Sequence, residues 1–133
     1  HTRGPVIASH SNARGACFHL RNLSDEMIRQ LAERGGVTGI NFCPSFLREE
    51  EPAAKKASTM DMVRHMKYLR NVGGIDIIGL GTDFDGFSGE TDVPDTAHMQ
   101  HLADVMSHEG FTDEEIEKVF SKNVLRVFRE CWK

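Results

Sequence analysis

The sequence predicts an α/β fold in which parallel strands alternate with helices. Short apolar runs without polar alternation occur near residues 5–10, 37–43 and 75–81, and such runs are strands buried on both faces. An amphipathic stretch with start and stop signals follows each run. Strands spaced by helices in this way pair in parallel through right-handed crossovers. The chain has 133 residues, enough for one domain with a real core, taken as residues 1–133.

The elements follow in order. Val6, Ile7, Ala8 and Ser9 form the first strand, which ends at His10-Ser11-Asn12; an irregular segment runs to Leu23. Ser24 is a good N-cap, with Asp25 and Glu26 in the first helical turn. Met27, Ile28, Leu31 and Ala32 make the apolar stripe of that helix, and Gly35-Gly36 stops it. The second strand starts at Val37 and closes at Cys43-Pro44. Residues 44–58 are polar, with two prolines and the run Glu49-Glu50-Glu51, so they read as a solvated loop. Thr59 caps a second helix striped by Met62, Met66 and Leu69, which Gly73-Gly74 ends. The third strand covers 75–81 and is apolar apart from Asp76; a Gly- and Asp-rich loop then runs from Thr82 to about Asp95. Helices are predicted over 97–109, from Thr112 with a Thr-Asp-Glu-Glu capping box, and over 123–132. This order suits either an open sheet or a section of a barrel.

Net charge is −4 with acids and bases interspersed, so there is no electrostatic footprint for nucleic acid or a membrane surface. No run of 18 apolar residues is present to span a bilayer. A small molecule or another protein surface is the expected partner. The three cysteines, Cys17, Cys43 and Cys131, are odd in number and widely spaced, with no CxxC. A disulfide framework or zinc finger does not fit them, and a reducing, cytoplasmic setting is the plain expectation. The chain opens His1-Thr2-Arg3-Gly4-Pro5 with no initiator Met and enters an apolar run at once, which reads as a cut through a longer protein.

Ligands of parallel α/β folds bind at the carboxyl ends of the strands, where the βα loops gather. His10 stands there as a candidate metal ligand, since neutral imidazole binds zinc well; the plainer alternative is a histidine bonded to a neighbouring loop. Asp83 and Asp85, in Gly79-Leu80-Gly81-Thr82-Asp83-Phe84-Asp85-Gly86, are candidates for proton transfer. An Asp-based turn is the alternative; a calcium loop is not, because the later ligands of that pattern are missing. Arg21 can hold a substrate carboxylate through a bidentate pair, or be a solvated surface arginine. Cys43 reads as packing. His65 is placed on a helix on the far side from the strand ends, with no functional role. His98, His101 and His108 read as surface residues.

Several of these stretches resemble the renal (membrane) dipeptidase family. They are Pro5 through Arg14, Arg21-Asn22-Leu23-Ser24-Asp25-Glu26, Val37 through Leu47, the Gly79-to-Gly86 motif with Thr82 for the usual Ser, and Asn123-Val124-Leu125-Arg126-Val127-Phe128. The resemblance implies a (β/α)8 barrel with two zincs at its C-terminal face, of which this chain supplies the last three βα units. It implies hydrolysis of a dipeptide by a water held between the zincs, with His10 a zinc ligand, Arg21 gripping the substrate carboxylate and Asp83 the acid/base residue. The family's His-x-Asp pair, bridging Glu and other zinc-binding His have no counterpart here. Catalytic zinc needs about three protein ligands, so the isolated chain is expected to be inactive and metal-poor. Its open sheet edges are expected to self-associate, or the parent to form a homodimer.

Two other functions fit the same residues: a non-catalytic α/β binding module, or an amidohydrolase acting on a non-peptide amide or lactone. Arg21 separates the last from a dipeptidase, because only a free substrate carboxylate needs it.

Overall fold

The computed structural model describes residues 7–8, 12–17, 22–41, 47, 56–81, 90–91 and 99–131. Among the described residues three parallel strands form the main sheet: β1 (Ile7–Ala8), β2 (Val37–Ile40) and β4 (Ile78–Leu80), in the order β1-β2-β4. Ile7 pairs with Val37 and Thr38 with Ile78, and the Gly81 N–H extends the ladder by donating to the Ile40 carbonyl at 3.0 Å. The central strand β2 is buried along its whole length, as an unbroken apolar run requires.

β1 departs from the expectation of burial on both faces: Ile7 is 38% exposed. Among the described residues β1 lies at an edge of the sheet, with β2 on one side only. The third strand is also shorter than its apolar run. Ile75–Ile77 is a turn of 3-10 helix, and only Ile78–Leu80 pairs with β2. Asp76 lies in that turn, half exposed, with its carboxylate 3.0 Å from Lys118 Nζ. The second strand ends at Ile40, short of the expected residue 43. A further pair lies inside both predicted loops, β3 (Lys56–Ala57) against β5 (Glu90–Thr91), again parallel. It ties the segment after β2 to the segment after β4, a non-local pairing that no local pattern announces.

α1 (Asp25–Glu33) starts at Ser24, whose Oγ accepts from the Met27 N–H at 3.3 Å. α2 (Thr59–Gly73) starts one residue earlier than read from the sequence. Ser58, not Thr59, is the N-cap, and it forms a reciprocal capping box with Asp61. Thr59 is instead buried within the first turn. α3 (Met99–His108) is followed by α4 (Asp113–Glu117), whose Thr112–Glu115 capping box is as expected. A π-helical stretch, Lys118–Lys122, then runs straight into α5 (Asn123–Cys131), so the last two predicted helices are continuous.

The core lies between the sheet and the helices, with Ile28, Ile40, Met62, Met66, Ile78, Leu102, Met106 and Val119 buried. Gly79 lets α5 approach the sheet, because a Cβ there would sit 3.0 Å from Val37 and 3.1 Å from Val124. Around this core the helices are cross-linked by polar contacts. Tyr68 Oη donates to Asp25 at 2.7 Å between α2 and α1. Lys67 pairs with Glu109 at 2.9 Å, and Arg70 lies over the Phe111 ring at 4.2 Å from its centroid.

Candidate active site at the strand ends

Because β1, β2 and β4 are all parallel, their carboxyl ends Ala8, Ile40 and Leu80 lie on one edge of the sheet. β1 and β4 are separated by β2 alone, a span of about 10 Å at ordinary strand spacing. His10 follows Ala8 by two residues in the chain and Asp83 follows Leu80 by three. His10, Arg21 and Asp83, like Asp85, Cys43 and His98, lie outside the described residues. His101 and His108 are exposed on α3, as a surface reading expects.

What is described at this edge is a polar frame. Asn12 is fully buried. Its Nδ2 donates to the Asn41 carbonyl at 2.8 Å, and its Oδ1 accepts from the Asn41 N–H at 2.7 Å. The side chain thereby fills a place in the ladder at the end of β2. Asn12 O accepts from Leu23 N at 2.7 Å and Leu23 O accepts from Arg14 N at 2.7 Å, around a bridge between Ala13 and Leu23. Arg14 Nε donates to Asn22 O at 3.1 Å, and buried Asn22 donates through Nδ2 to Cys17 O at 2.9 Å.

His65 joins the same frame, and its placement corrects the sequence reading. It is fully buried and reaches the loops beyond the strand ends, not the far side. Its Nδ1 accepts from the Ala13 N–H at 3.2 Å, and its Nε2 lies 3.1 Å from the Leu47 carbonyl, to which Arg64 also donates. An acceptor at Nδ1 and a carbonyl facing Nε2 assign the neutral tautomer protonated at Nε2. Burial pushes the His65 pKa down to about 4, against the opposing pull of the Leu47 carbonyl. The signal was in the sequence: Met62, His65, Met66 and Leu69 follow the i, i+3, i+4, i+7 spacing of one buried face. With both ring nitrogens engaged, His65 is a brace and not a metal ligand. Among the described residues no group of three or more His, Cys, Asp or Glu side chains is arranged to hold a metal ion. These residues do not by themselves make a metal site.

The sequence pattern of the membrane dipeptidase family (peptidase family M19) matches residues 1–132. The chain belongs to that family. A protein of Klebsiella pneumoniae, known as the uncharacterized protein in the pqqA 5′ region, is 35% identical over 132 residues, covering 99% of this chain and 49% of its own length. An uncharacterized dipeptidase of Schizosaccharomyces pombe is 34% identical over 131 residues, covering 97% of this chain and 31% of its own length. The crystal structure of a metallo peptidase from Rhodobacter sphaeroides, bound to a phosphinate mimic of the dipeptide L-Ala-D-Ala, superposes with a TM-score of 0.89. That protein is 29% identical, with 97% of this chain and 37% of its own covered. The chain thus spans half or less of the length of these family relatives. Its parallel strands and helices match part of the family's α/β fold.

Proposed function

We propose that these three βα units are the last three of a (β/α)8 barrel, in a polypeptide that hydrolyses dipeptides with the aid of two zinc ions. The observation that carries this reading is the parallel order β1-β2-β4, which sets the ends of β1 and β4 on one edge of the sheet. His10 and Asp83 follow those two ends in the chain. Family membership supports peptide hydrolysis, and the dipeptide mimic bound by the Rhodobacter relative supports a dipeptide as substrate.

In this reading each residue has one task. His10 lends a neutral imidazole to a zinc ion, the remaining ligands coming from other parts of the parent. When bound, the metal pair supplies Lewis acidity at the scissile carbonyl. Arg21 holds the free carboxylate of the substrate in a bidentate pair, which fixes substrate length. Asp83 takes a proton from the attacking water and passes it to the leaving amine as the C–N bond breaks. The 133-residue chain alone is inactive and binds zinc poorly, since it brings one ligand where about three are needed. Among the described residues β1 and β4 are the edges of the sheet, and we expect such edges to pair with other copies of the chain.

The test uses the full-length protein, stripped of metal and then restored with zinc. Ala-Ala and its C-terminal amide are offered as substrates. Zinc-dependent cleavage of the acid, with the amide at least tenfold slower, is the outcome expected of a charge-assisted pair worth about 1.5–3 kcal/mol. No cleavage of either contradicts the peptidase reading, and equal cleavage of both contradicts the role given to Arg21.

A further inference from the structure

We infer that Asn12 and His65 are positioning residues for the proposed site, holding the chain beside His10 and beside Arg21 in one fixed arrangement; the inference rests on the dipeptidase reading above. Only Ser11 stands between His10 and Asn12, and Arg21 is bonded directly to Asn22. Residues 12–14 are anchored from three directions. The Asn12 side chain bonds both backbone groups of Asn41 at the end of β2, at 2.8 and 2.7 Å. Leu23 bonds Asn12 and Arg14 through its own backbone, each at 2.7 Å. His65, reaching out from α2, accepts from the Ala13 N–H at 3.2 Å.

Burying amide and imidazole groups is unfavourable unless each is bonded, and here the buried side chains satisfy backbone groups of Asn41 and Ala13 while fixing the chain next to the proposed site. Here Asn12, Asn22, Asn41 and His65 are all buried, and all lie at the strand-end edge. Catalytic groups must be held within about 0.5 Å of productive geometry by locked neighbours. The frame supplies that lock for two chain segments at once, because Leu23 and Asn22 bond Asn12 and Arg14, within the same short run 12–14 that Asn41 and His65 hold at Asn12 and Ala13. His65 is suited to the task by having each ring nitrogen committed to a different loop.

The experiment compares full-length wild type with His65→Leu, His65→Gln and Asn12→Ser, and with Leu102→Ala as a core control away from the frame. Three quantities are read: the zinc dissociation constant by chelator competition, KM and kcat for Ala-Ala, and the thermal midpoint. His65→Leu is expected to weaken zinc binding and raise KM about tenfold. His65→Gln, which can both accept from Ala13 and donate to Leu47, should restore most of both. Leu102→Ala should lower the midpoint and move neither constant. If His65→Leu does not fold, Asn12→Ser is expected to shift zinc affinity and KM in the same direction. Variants that fold with wild-type zinc affinity and KM overturn the inference alone. A wild-type protein that neither binds zinc nor cleaves dipeptides overturns the dipeptidase reading and the inference with it.

Discussion

Asn12 meets Asn41 as one strand meets another, side-chain amide against backbone amide, with Nδ2 to carbonyl at 2.8 Å and N–H to Oδ1 at 2.7 Å. The loop after β1 is thereby sewn to the end of β2, and the two proposed functional segments share one support.

Asn12→Ala removes both bonds and takes those partners away from two buried backbone groups. A stability loss of about 2–6 kcal/mol is expected, from roughly 1–3 kcal/mol per buried polar group left without its partner. Urea unfolding of the variant against wild type measures it.

His65 links stability to pH. The unfolded histidine titrates near 6.5, whereas burial holds the folded one at about 4. Between those values the unfolded state binds a proton that the folded state does not. The stability conferred by a neutral His65 is therefore fully present above pH 6.5 and falls away as pH drops towards 4. The loss is about 3 kcal/mol in all, at 1.36 kcal/mol per pKa unit, and levels off below that range. His65→Gln should flatten this component. Unfolding midpoints at pH 7 and pH 5, compared between wild type and variant, give the difference directly.

Gly15 has no room for a side chain. A Cβ there would fall on the hydroxyl and ring of Tyr68, so Gly15→Ala must displace that ring and break its 2.7 Å bond to Asp25. That bond holds α2 to α1, and it also raises the Tyr68 pKa above the usual tyrosine value. The expected cost is about 1–2 kcal/mol. Tyr68→Phe measured alone and together with Gly15→Ala should show the two changes to be non-additive.

Asn123 anchors the final helix. Its Nδ2 donates at 2.8 Å to both the Ile75 and the Ile78 carbonyls, and the side chain is buried. Asn123→Asp keeps the shape but replaces the donor with a carboxylate oxygen facing two carbonyls. A loss of about 3 kcal/mol is expected, largest at neutral pH and smaller once the carboxyl is protonated. Thermal unfolding at pH 7 and pH 4 checks the sign.

Much of this fold was legible because its signals are local. Ser24, Thr112 and Gly35 mark helix ends through their own capping chemistry or backbone freedom, and Gly35 has φ 68. The parallel order followed from apolar runs alternating with amphipathic ones. What escaped the sequence depended on non-local partners. Lys56 pairs with Glu90 across 34 positions of chain, and nothing in either segment signals the other. Ile75–Ile77 reads as strand by composition, yet it coils because β2 offers Thr38, Gly39 and Ile40 as partners only to Ile78, Gly79 and Leu80. Ile7 is apolar but half open, since β1 has a neighbour on one side only among the described residues. His65 reads as lying on the far side from the strand ends, yet its spacing with Met62, Met66 and Leu69 puts it on the buried face, where it meets Ala13 and Leu47. The roles of His10, Arg21 and Asp83 came from family resemblance, with strand-end position as their physical support.

The most direct measurement of the central claim is turnover of Ala-Ala by the full-length protein with Asp83→Asn, at matched zinc content and confirmed folding. The acid/base role proposed for Asp83, three residues beyond Leu80 in the chain, predicts that kcat falls by about 10²–10⁴ while zinc stays bound. Wild-type turnover in Asp83→Asn would contradict it.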